Sequence, residues 1–366
     1  MKNDESLNPV ISELINSLIS PVMIINEDGI IIYTNEIMKE TFGNLQGLTR
    51  SFLFSNTPLC EENNNLPTEG NEEVILADVA YHVKWSAIKE DGNNYQIYIL
   101  DDISESASAR EEMKNNIKML KQESDIAKHI QTSILPADGE YDGAIKLSSS
   151  YVPAGDLGGD VYGLVRVSPD ETLFYIADVS GHGIQASLLT MYLRERIRSS
   201  GRLAANGLDQ LIDELMSDYI SLDIDATIYA TALFCVYNRP KGELSVANAG
   251  HNCMPLIVRA GGRVEEIQVK GMPISKLTAA LGEKHEEEIL NIQKGDRVIL
   301  YTDGIIEEYS RAEKGVFGSE GVRRLSAELH ELEGKEFAER VITESDRYMT
   351  VSASDDRAII VVDIIA

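Results

Sequence analysis

The sequence is poor in cysteine, and that scarcity rules out whole classes of protein. Its three cysteines, Cys60, Cys235 and Cys253, are too few and too scattered for a disulfide framework, and no pair has metal-ligand spacing. A reducing compartment is expected. Long apolar runs are also missing: no stretch approaches the roughly 18 consecutive apolar residues of a membrane span. The start, MKNDESLNPV, lacks the basic and apolar regions of a secretory signal. A soluble cytoplasmic protein with no membrane contact is expected. Positive charge is short as well, with 33 Lys and Arg against 60 Asp and Glu and a net charge of −27. Nucleic acid and anionic lipid would be repelled unless a local basic patch intervened, and the sequence has none. The acidity has two readings: general solubility, or carboxylates clustered to take up cations.

What is present suggests two domains and a connector, because 366 residues exceed the usual single-domain size. From Ile11 to about Ile103 a helix is followed by PVMIINEDGIIIYTN, where two β-rich runs flank Asp28-Gly29 and predict a hairpin. EEVILADV, YHVKWSAI and NYQIYILDD read as three more strands, the last two separated by Asp91-Gly92-Asn93-Asn94. An antiparallel sheet of about five strands follows. From Ser104 to Leu135 the chain is made of helix formers until Pro136 stops it, a helix of about 45 Å. Met113, Leu120, Ala127 and Ile134 recur at heptad spacing, with Arg110, Ile117, Ser124 and Gln131 as companions. One seam is apolar and the other half polar. That suits a weak parallel coiled coil joining two copies of the chain, or a helix packed on its own domain.

Beyond Ala144, strands and helices alternate, and three strands carry an Asp at one end. LFYIADVSGHG places Asp178 after an apolar run, with Gly181 and Gly183 allowing close backbone approach. RVILYTDG does the same with Asp303 and Gly304, and SASDDRAIIVVDII puts Asp355 and Asp356 just before a strand. If that last strand runs antiparallel to the others, the carboxylates meet at one sheet edge. Gly158-Gly159-Asp160 adds a fourth group. Carboxylates so gathered raise one another's pKa unless cations neutralise them. An all-oxygen ligand set selects Mg²⁺ or Mn²⁺, and a pair of such ions is the design of a binuclear hydrolase that activates water and clamps a phosphoryl oxygen. Any one Asp can simply end a strand or cap a helix; the information lies in their joint occurrence.

Several other features read as structural. His182 and His251, in the strings GHG and AGH, sit in glycine-bearing turns where histidine commonly satisfies backbone groups, and Asn248 is read in the same way. Cys253 and Arg259 have the Cys-x5-Arg spacing of cysteine-dependent phosphatases. The run between them holds a proline, no glycine and strand-favouring residues, so a buried strand is expected instead of a phosphate loop. Asp223-Ile224-Asp225 lacks the Gly and terminal Glu of a calcium loop. Cys60, in the polar string SNTPLCEENNN, reads as an incidental surface thiol.

The strings PAGDLGGDVYG, IADVSGHGIQAS, YATALF, VANAGHN, YTDGIIEE, FGSEG and DDRAIIVV, in that order between Ser148 and Asp363, resemble the PPM-type phosphatases of the SpoIIE/RsbU group. AKHIQTSILP resembles the segment by which a regulatory helix enters that domain. The first hundred residues resemble a PAS domain, with Asn35 after the hairpin and Asp102-Ile103-Ser104 at the end. The resemblance implies an α/β fold: a PPM sandwich of two antiparallel sheets flanked by helices over 141–366, preceded by an α+β PAS-like sensor over 1–103 and a helical, coiled-coil linker over 104–140. It implies two Mn²⁺ or Mg²⁺ ions, with Asp178 bridging them and the Val179 carbonyl in contact. Asp160, Asp303 and Asp355 complete the set, and Asp356 is the less favoured of the final pair. The implied reaction is hydrolysis of phosphoserine or phosphothreonine by in-line attack of water, without a phosphoenzyme, the protein mainly positioning and neutralising charge.

The implied substrate is a phosphorylated STAS-domain anti-anti-sigma factor, whose dephosphorylation frees an alternative sigma factor in a stress or developmental response. The PAS domain would regulate this, through an unspecified ligand or a partner protein that delivers the signal. The sequence departs from the group at Val161-Tyr162-Gly163, where relatives usually have an aromatic pair and an acid. It departs again at Gly271-Met272-Pro273-Ile274-Ser275, which lacks the usual Leu-Gly. Both changes bear on substrate fit and regulation and leave the ligand set intact. Two other readings stay open: a non-catalytic module that binds a phosphoprotein or kinase, and a hydrolase of a small phosphate ester.

Overall fold

The computed structural model describes residues 9–60, 68–90, 93–155, 157–181, 183–282, 285–307, 317–348 and 355–366. The chain divides into two compact units, Met1–Leu120 and Lys121–Ala366.

In the first unit, helix α1 (Pro9–Asn16) precedes strands β1 (Val22–Ile25) and β2 (Ile31–Thr34), helices α2 (Glu36–Phe42) and α3 (Arg50–Leu53), and strands β3 (Glu69–Leu76), β4 (Val79–Glu90) and β5 (Asn93–Asp102). The strands form one antiparallel sheet in the order β2-β1-β5-β4-β3. The hairpin expected around Asp28-Gly29 is β1–β2, with Gly29 at φ 74°, a value glycine adopts without strain. Of the turn expected at 91–94, Asp91 and Gly92 lie outside the described residues. Buried Asn35 caps α2: its Oδ1 accepts from Met38 N and from Val22 N, both at 2.9 Å, and its Nδ2 donates to Ser20 O at 2.9 Å. One side chain thereby starts a helix and ties it to β1. Met23, Ile25, Met38, Trp85 and Tyr98 are among the side chains that form the core of this unit.

Helix α4 (Ser104–Ser133) follows, free of glycine and proline over its whole length. Met113, Ile117 and Leu120 are exposed on it.

The second unit runs β6 (Gly139–Tyr141), β7 (Ile145–Val152), β8 (Asp160–Arg166), β9 (Glu171–Val179), α5 (Ile184–Ser200), α6 (Leu208–Ser221), β10 (Ala230–Asn238), β11 (Glu243–Ala249), β12 (Leu256–Val258), β13 (Val264–Glu266), α7 (Lys276–Leu281), β14 (Glu287–Asn291), β15 (Arg297–Tyr301), α8 (Gly318–Glu328), α9 (Gly334–Asp346) and β16 (Arg357–Ile364). Two antiparallel sheets result, ordered β14-β11-β10-β9-β8 and β13-β12-β15-β16-β7-β6. The inner strands β9, β10, β15 and β16 are apolar on both faces because both faces are covered. Phe174, Ile176, Leu233 and Val246 of the first sheet meet Leu147, Val298, Leu300 and Ile360 of the second. On the outer face of the first sheet pack Leu189 and Leu193 of α5 with Leu211 and Leu215 of α6. On the outer face of the second pack Val322 and Leu325 of α8 with Phe337 and Val341 of α9. Each such side chain, fully buried, contributes about 1.5–3 kcal/mol.

This stacking corrects one expectation. The Asp-bearing strand ends do not share a single sheet edge, because β9 belongs to one sheet and β15 and β16 to the other. Strands with two apolar faces bury both only by forming a sandwich, and the carboxylates therefore gather between the sheets. The run from Cys253 to Arg259 contains β12, as read from its composition. Cys253 is buried, burial pushes its thiol well above the ordinary range, and Arg259 is paired with Glu265 and Asp296.

Candidate functional site

The site begins with a register. Strands β8 and β9 pair so that Asp160 stands directly opposite Asp178, and β9 and β10 pair so that Asp178 stands opposite Thr231. Residues directly opposite in an antiparallel pair project from the same face with Cβ atoms about 4.5–5.5 Å apart, so the two carboxylates are forced together by backbone pairing. The second sheet supplies the rest. Antiparallel β15 and β16 place Thr302-Asp303, which leave one strand, beside Asp355-Asp356, which enter the other.

Hydrogen bonds fix these groups. Thr302 Oγ1 donates to Asp160 Oδ2 at 2.7 Å and itself accepts from Ala358 N at 2.9 Å. The threonine therefore joins the two sheets at the site. Asn252 Nδ2 donates to Asp303 Oδ2 at 3.0 Å. Asp356 spends both oxygens on backbone, Oδ1 accepting from Ala154 N at 2.8 Å and Oδ2 from Gly159 N at 2.5 Å. It thereby holds the loop that carries Asp160, whereas Asp355 lies exposed at the rim. Gly304 permits this packing, since a Cβ there would stand 2.0 Å from the Asp356 carbonyl oxygen.

Electrostatics follow from the crowding. Asp160 is buried, and its carboxyl is pushed well above the ordinary range by burial and next by the Asp178 charge, against the opposing hydrogen bond from Thr302. Asp178 is pushed up to about 7 by burial and then by Asp303, Asp355 and Asp356. Asp355 rises through partial desolvation at the cluster, with Asp303 and Asp356 adding to the effect. Each of these shifts marks a place where negative charge lacks compensation.

A cation would supply it, and one feature tests whether there is room. At Gly159 the position a Cβ would take lies 2.8 Å from the Val179 carbonyl oxygen, 3.2 Å from Asp178 Oδ1 and 3.5 Å from the Gly181 carbonyl oxygen. Three oxygens thus face space kept clear by a missing side chain. An all-oxygen donor set of this kind fits Mg²⁺ or Mn²⁺. Among the described residues no group of three or more His, Cys, Asp or Glu side chains is arranged to hold a metal ion as it stands.

His251 is buried, with Nε2 donating to Tyr301 O at 2.9 Å and Nδ1 accepting from Thr231 Oγ1 at 3.2 Å. Burial holds its pKa below 6.5. Asn248 closes the turn beneath it, Oδ1 accepting from His251 N at 2.7 Å and Nδ2 donating to the carbonyls of His251 and Val269. Asn248 is thus committed to the turn, and the His251 ring to the Tyr301 carbonyl and the Thr231 hydroxyl. His182 lies outside the described residues.

Three contributors escaped sequence reading. Gln131, at the end of α4, is buried; its Nε2 donates to Gly158 O at 2.6 Å and its Oε1 accepts from Gly158 N at 3.2 Å. Thr302 and Asn252 are the others. All three lie inside strings that the sequence singles out, AKHIQTSILP, YTDGIIEE and VANAGHN, but nothing local marks which of their side chains reach the carboxylates or the Gly158 loop.

A two-sheet sandwich with helices on both outer faces and carboxylates between its sheets has the architecture of a PP2C-type phosphatase domain. The fold is similar to that of the SiaA PP2C domain of Pseudomonas aeruginosa, at 21% identity and a TM-score of 0.58, covering 68% of this chain and 98% of that one. It is also similar to a Bacillus subtilis SpoIIE structure holding the PP2C phosphatase domain and a fragment of the regulatory domain, at 16% identity and a TM-score of 0.51, covering 77% of this chain and 70% of that one. The sequence profile of the family described as Stage II sporulation protein E (SpoIIE) matches residues 168–365, and the chain belongs to that family. Among curated relatives it is 25% identical over 211 residues to the phosphoserine phosphatase RsbU of Bacillus subtilis, covering 57% of this chain and 60% of that protein. It is 25% identical over 192 residues to the phosphoserine phosphatase RsbP of the same organism, covering 51% and 46%. The chain thus spans about half the length of these relatives. No helix among the described residues is long and apolar enough to cross a membrane.

Proposed function

We propose that this chain is a metal-dependent phosphatase of phosphoserine and phosphothreonine in proteins. The observation that carries the reading is the Asp160–Asp178 pair, set opposite by strand register, with Asp178 Oδ1 and the Val179 carbonyl beside the space that Gly159 leaves. Asp160, Asp178, Asp303 and Asp355, with the Val179 carbonyl, would hold two Mg²⁺ or Mn²⁺ ions. The chemistry such ions supply is activation of water and neutralisation of phosphoryl oxygens. The chain's own part is positional: Thr302 orients Asp160, Asn252 orients Asp303, and Asp356 fixes the Gly159 loop. In this reading Asp356 is a positioning residue and Asp355 the ligand of the final pair. Family membership and the naming of RsbU and RsbP as phosphoserine phosphatases support the activity.

The finer reading is that the substrate is a phosphorylated STAS-domain anti-anti-sigma factor, that residues 1–103 are a PAS-like sensor read by a ligand or partner protein, that 104–140 transmit its state and pair two chains, and that the protein works in the cytoplasm. The five-stranded antiparallel sheet with its Asn35-capped helix supports the sensor assignment, and the exposed Met113, Ile117 and Leu120 support pairing through α4. The test is Mn²⁺-dependent phosphate release from a phosphoserine STAS protein by the full chain and by Asp178→Asn. Release that the variant abolishes is expected; equal release from both, or none from either, overturns the reading.

A further inference from the structure

A second cleft lies beyond the turn that orients Asp303. About 580 Å³ in volume, it is walled by Asn248, Gly250 and His251 on one side and by Val269, Lys270 and Met272 among others on the opposite side. Two glycines press these walls together: a Cβ on Gly250 would stand 2.5 Å from Pro273 N, and one on Gly271 would stand 1.6 Å from Asn248 O. The wall is also pinned to the carboxylate ladder, because Ile274 and Ala230 exchange both backbone hydrogen bonds, at 2.8 and 3.0 Å, and Ala230 precedes Thr231, the register partner of Asp178. The cleft is therefore held at a fixed offset from the reacting centre, with Asn252 between them.

Its lining indicates the occupant. Met254 and Met272 are half-buried beside buried Val269, and methionine forms adaptable apolar surface. His285 is 8% exposed, and its Nε2 donates to Met272 O at 3.0 Å, which fixes the wall that carries Met272. Lys270 is exposed at the mouth and has no ion-pair partner among the described residues. An apolar floor and an unused cationic donor match an apolar side chain and a peptide carbonyl. Among the described residues Glu286 also lines the cleft and Lys270 is the one Lys or Arg there, which does not match a polyanion.

We propose that this cleft binds the residues next to the phosphorylated side chain of a protein substrate, one of them apolar, so that the site selects substrates by sequence near the phosphate. The proposal rests on the phosphatase reading and assigns that site a substrate preference. It falls where Gly271-Met272-Pro273-Ile274-Ser275 departs from its relatives, which makes the departure a determinant of specificity.

The experiment measures kcat/KM with Mn²⁺ for the full chain on p-nitrophenyl phosphate and on two phosphoserine peptides that differ only in a flanking Leu or Asp, scanned on both sides. At one position the Leu peptide should be preferred by about tenfold, the scale of one well-filled apolar contact. Met254→Gln and Met272→Gln, which remove apolar surface without adding charge, should bring that ratio below about threefold, whereas damage to the fold would lower turnover of all three substrates together. Turnover of p-nitrophenyl phosphate with no flank preference, or a preference that survives both variants, overturns the cleft assignment and leaves the phosphatase reading standing. Absence of all turnover overturns both.

Discussion

Gln131 and Gly158 are joined by two hydrogen bonds, the glutamine amide meeting both the carbonyl and the N–H of one residue in the loop that leads to Asp160. Helix α4 therefore ends with a buried hold on the site, one residue from the space beneath Val179. Gln131→Leu keeps the bulk but strips both partners from the Gly158 peptide. Each buried polar group so abandoned costs about 1–3 kcal/mol. Urea unfolding of the full chain should show a lower midpoint by that scale, and Mn²⁺ affinity measured by electron paramagnetic resonance should weaken. An unchanged midpoint would mean that water replaces the amide.

Gly159→Ala should leave the sandwich folded and remove the room for a cation, since the added methyl stands 2.8 Å from the Val179 carbonyl oxygen. Loss of at least about tenfold to a hundredfold in Mn²⁺ affinity is expected, the range typical of disturbed metal surroundings. Calorimetric titration with Mn²⁺, alongside circular dichroism, separates this from misfolding. Wild-type affinity in a folded variant would remove the space from the metal argument.

Stability in cation-free buffer should depend on pH through Asp178. Its carboxyl titrates near 7 in the folded chain against an ordinary value of 3.8, so between these values the folded state binds more protons than the unfolded one. Stability contributed by this group is then greatest at low pH and falls as pH rises from about 4 to about 7. Thermal melts of wild type and Asp178→Asn across that window should diverge, the variant showing a smaller decline because only Asp160 and Asp355 still contribute to it. Mn²⁺ should raise the melting temperature of the wild type at pH 8 and do so far less for the variant. Parallel curves would refute the crowding of charge at this position.

His251 acts in the opposite sense. Burial depresses its folded pKa below 6.5, so the unfolded chain takes up the proton more readily, and stability is lost as pH falls below about 6.5. His251→Gln should remove that acid-side loss. It should also lower stability at neutral pH by about 1–3 kcal/mol through the lost bonds to Tyr301 and Thr231, read from urea unfolding at pH 5.5 and 7.5.

The parts of the site legible in sequence are those fixed by adjacent residues. Asp178 ends an apolar run and Asp303 follows one, so a strand and its terminal carboxylate are read together. The pairing of Asp160 with Asp178 is a register property, and the short link between β8 and β9 makes it nearly local. By contrast, Thr302 reaches Asp160 across 142 positions and Asp356 reaches Gly159 across 197. Such contacts depend on which sheet each strand joins, and apolar strands with two buried faces carry no mark of that choice. For the same reason the carboxylates were expected on one sheet edge and are instead shared between two sheets. Gln131 was visible as a heptad position on a helix; that the same side chain grips a glycine loop follows only from the fold.

Strand β16 lies between β15 and β7, in the interior of its sheet, yet it is synthesised after every other strand described. During translation the first sheet can assemble with Asp160 and Asp178 already opposed, while the second has a gap where β16 belongs and Asp303 has no neighbouring Asp355-Asp356. Such long-range pairing forms late. A ribosome-bound chain arrested before β16 emerges would therefore carry an acidic half-site that cannot mature, and the fold delays any activity of this centre until its last strand is inserted.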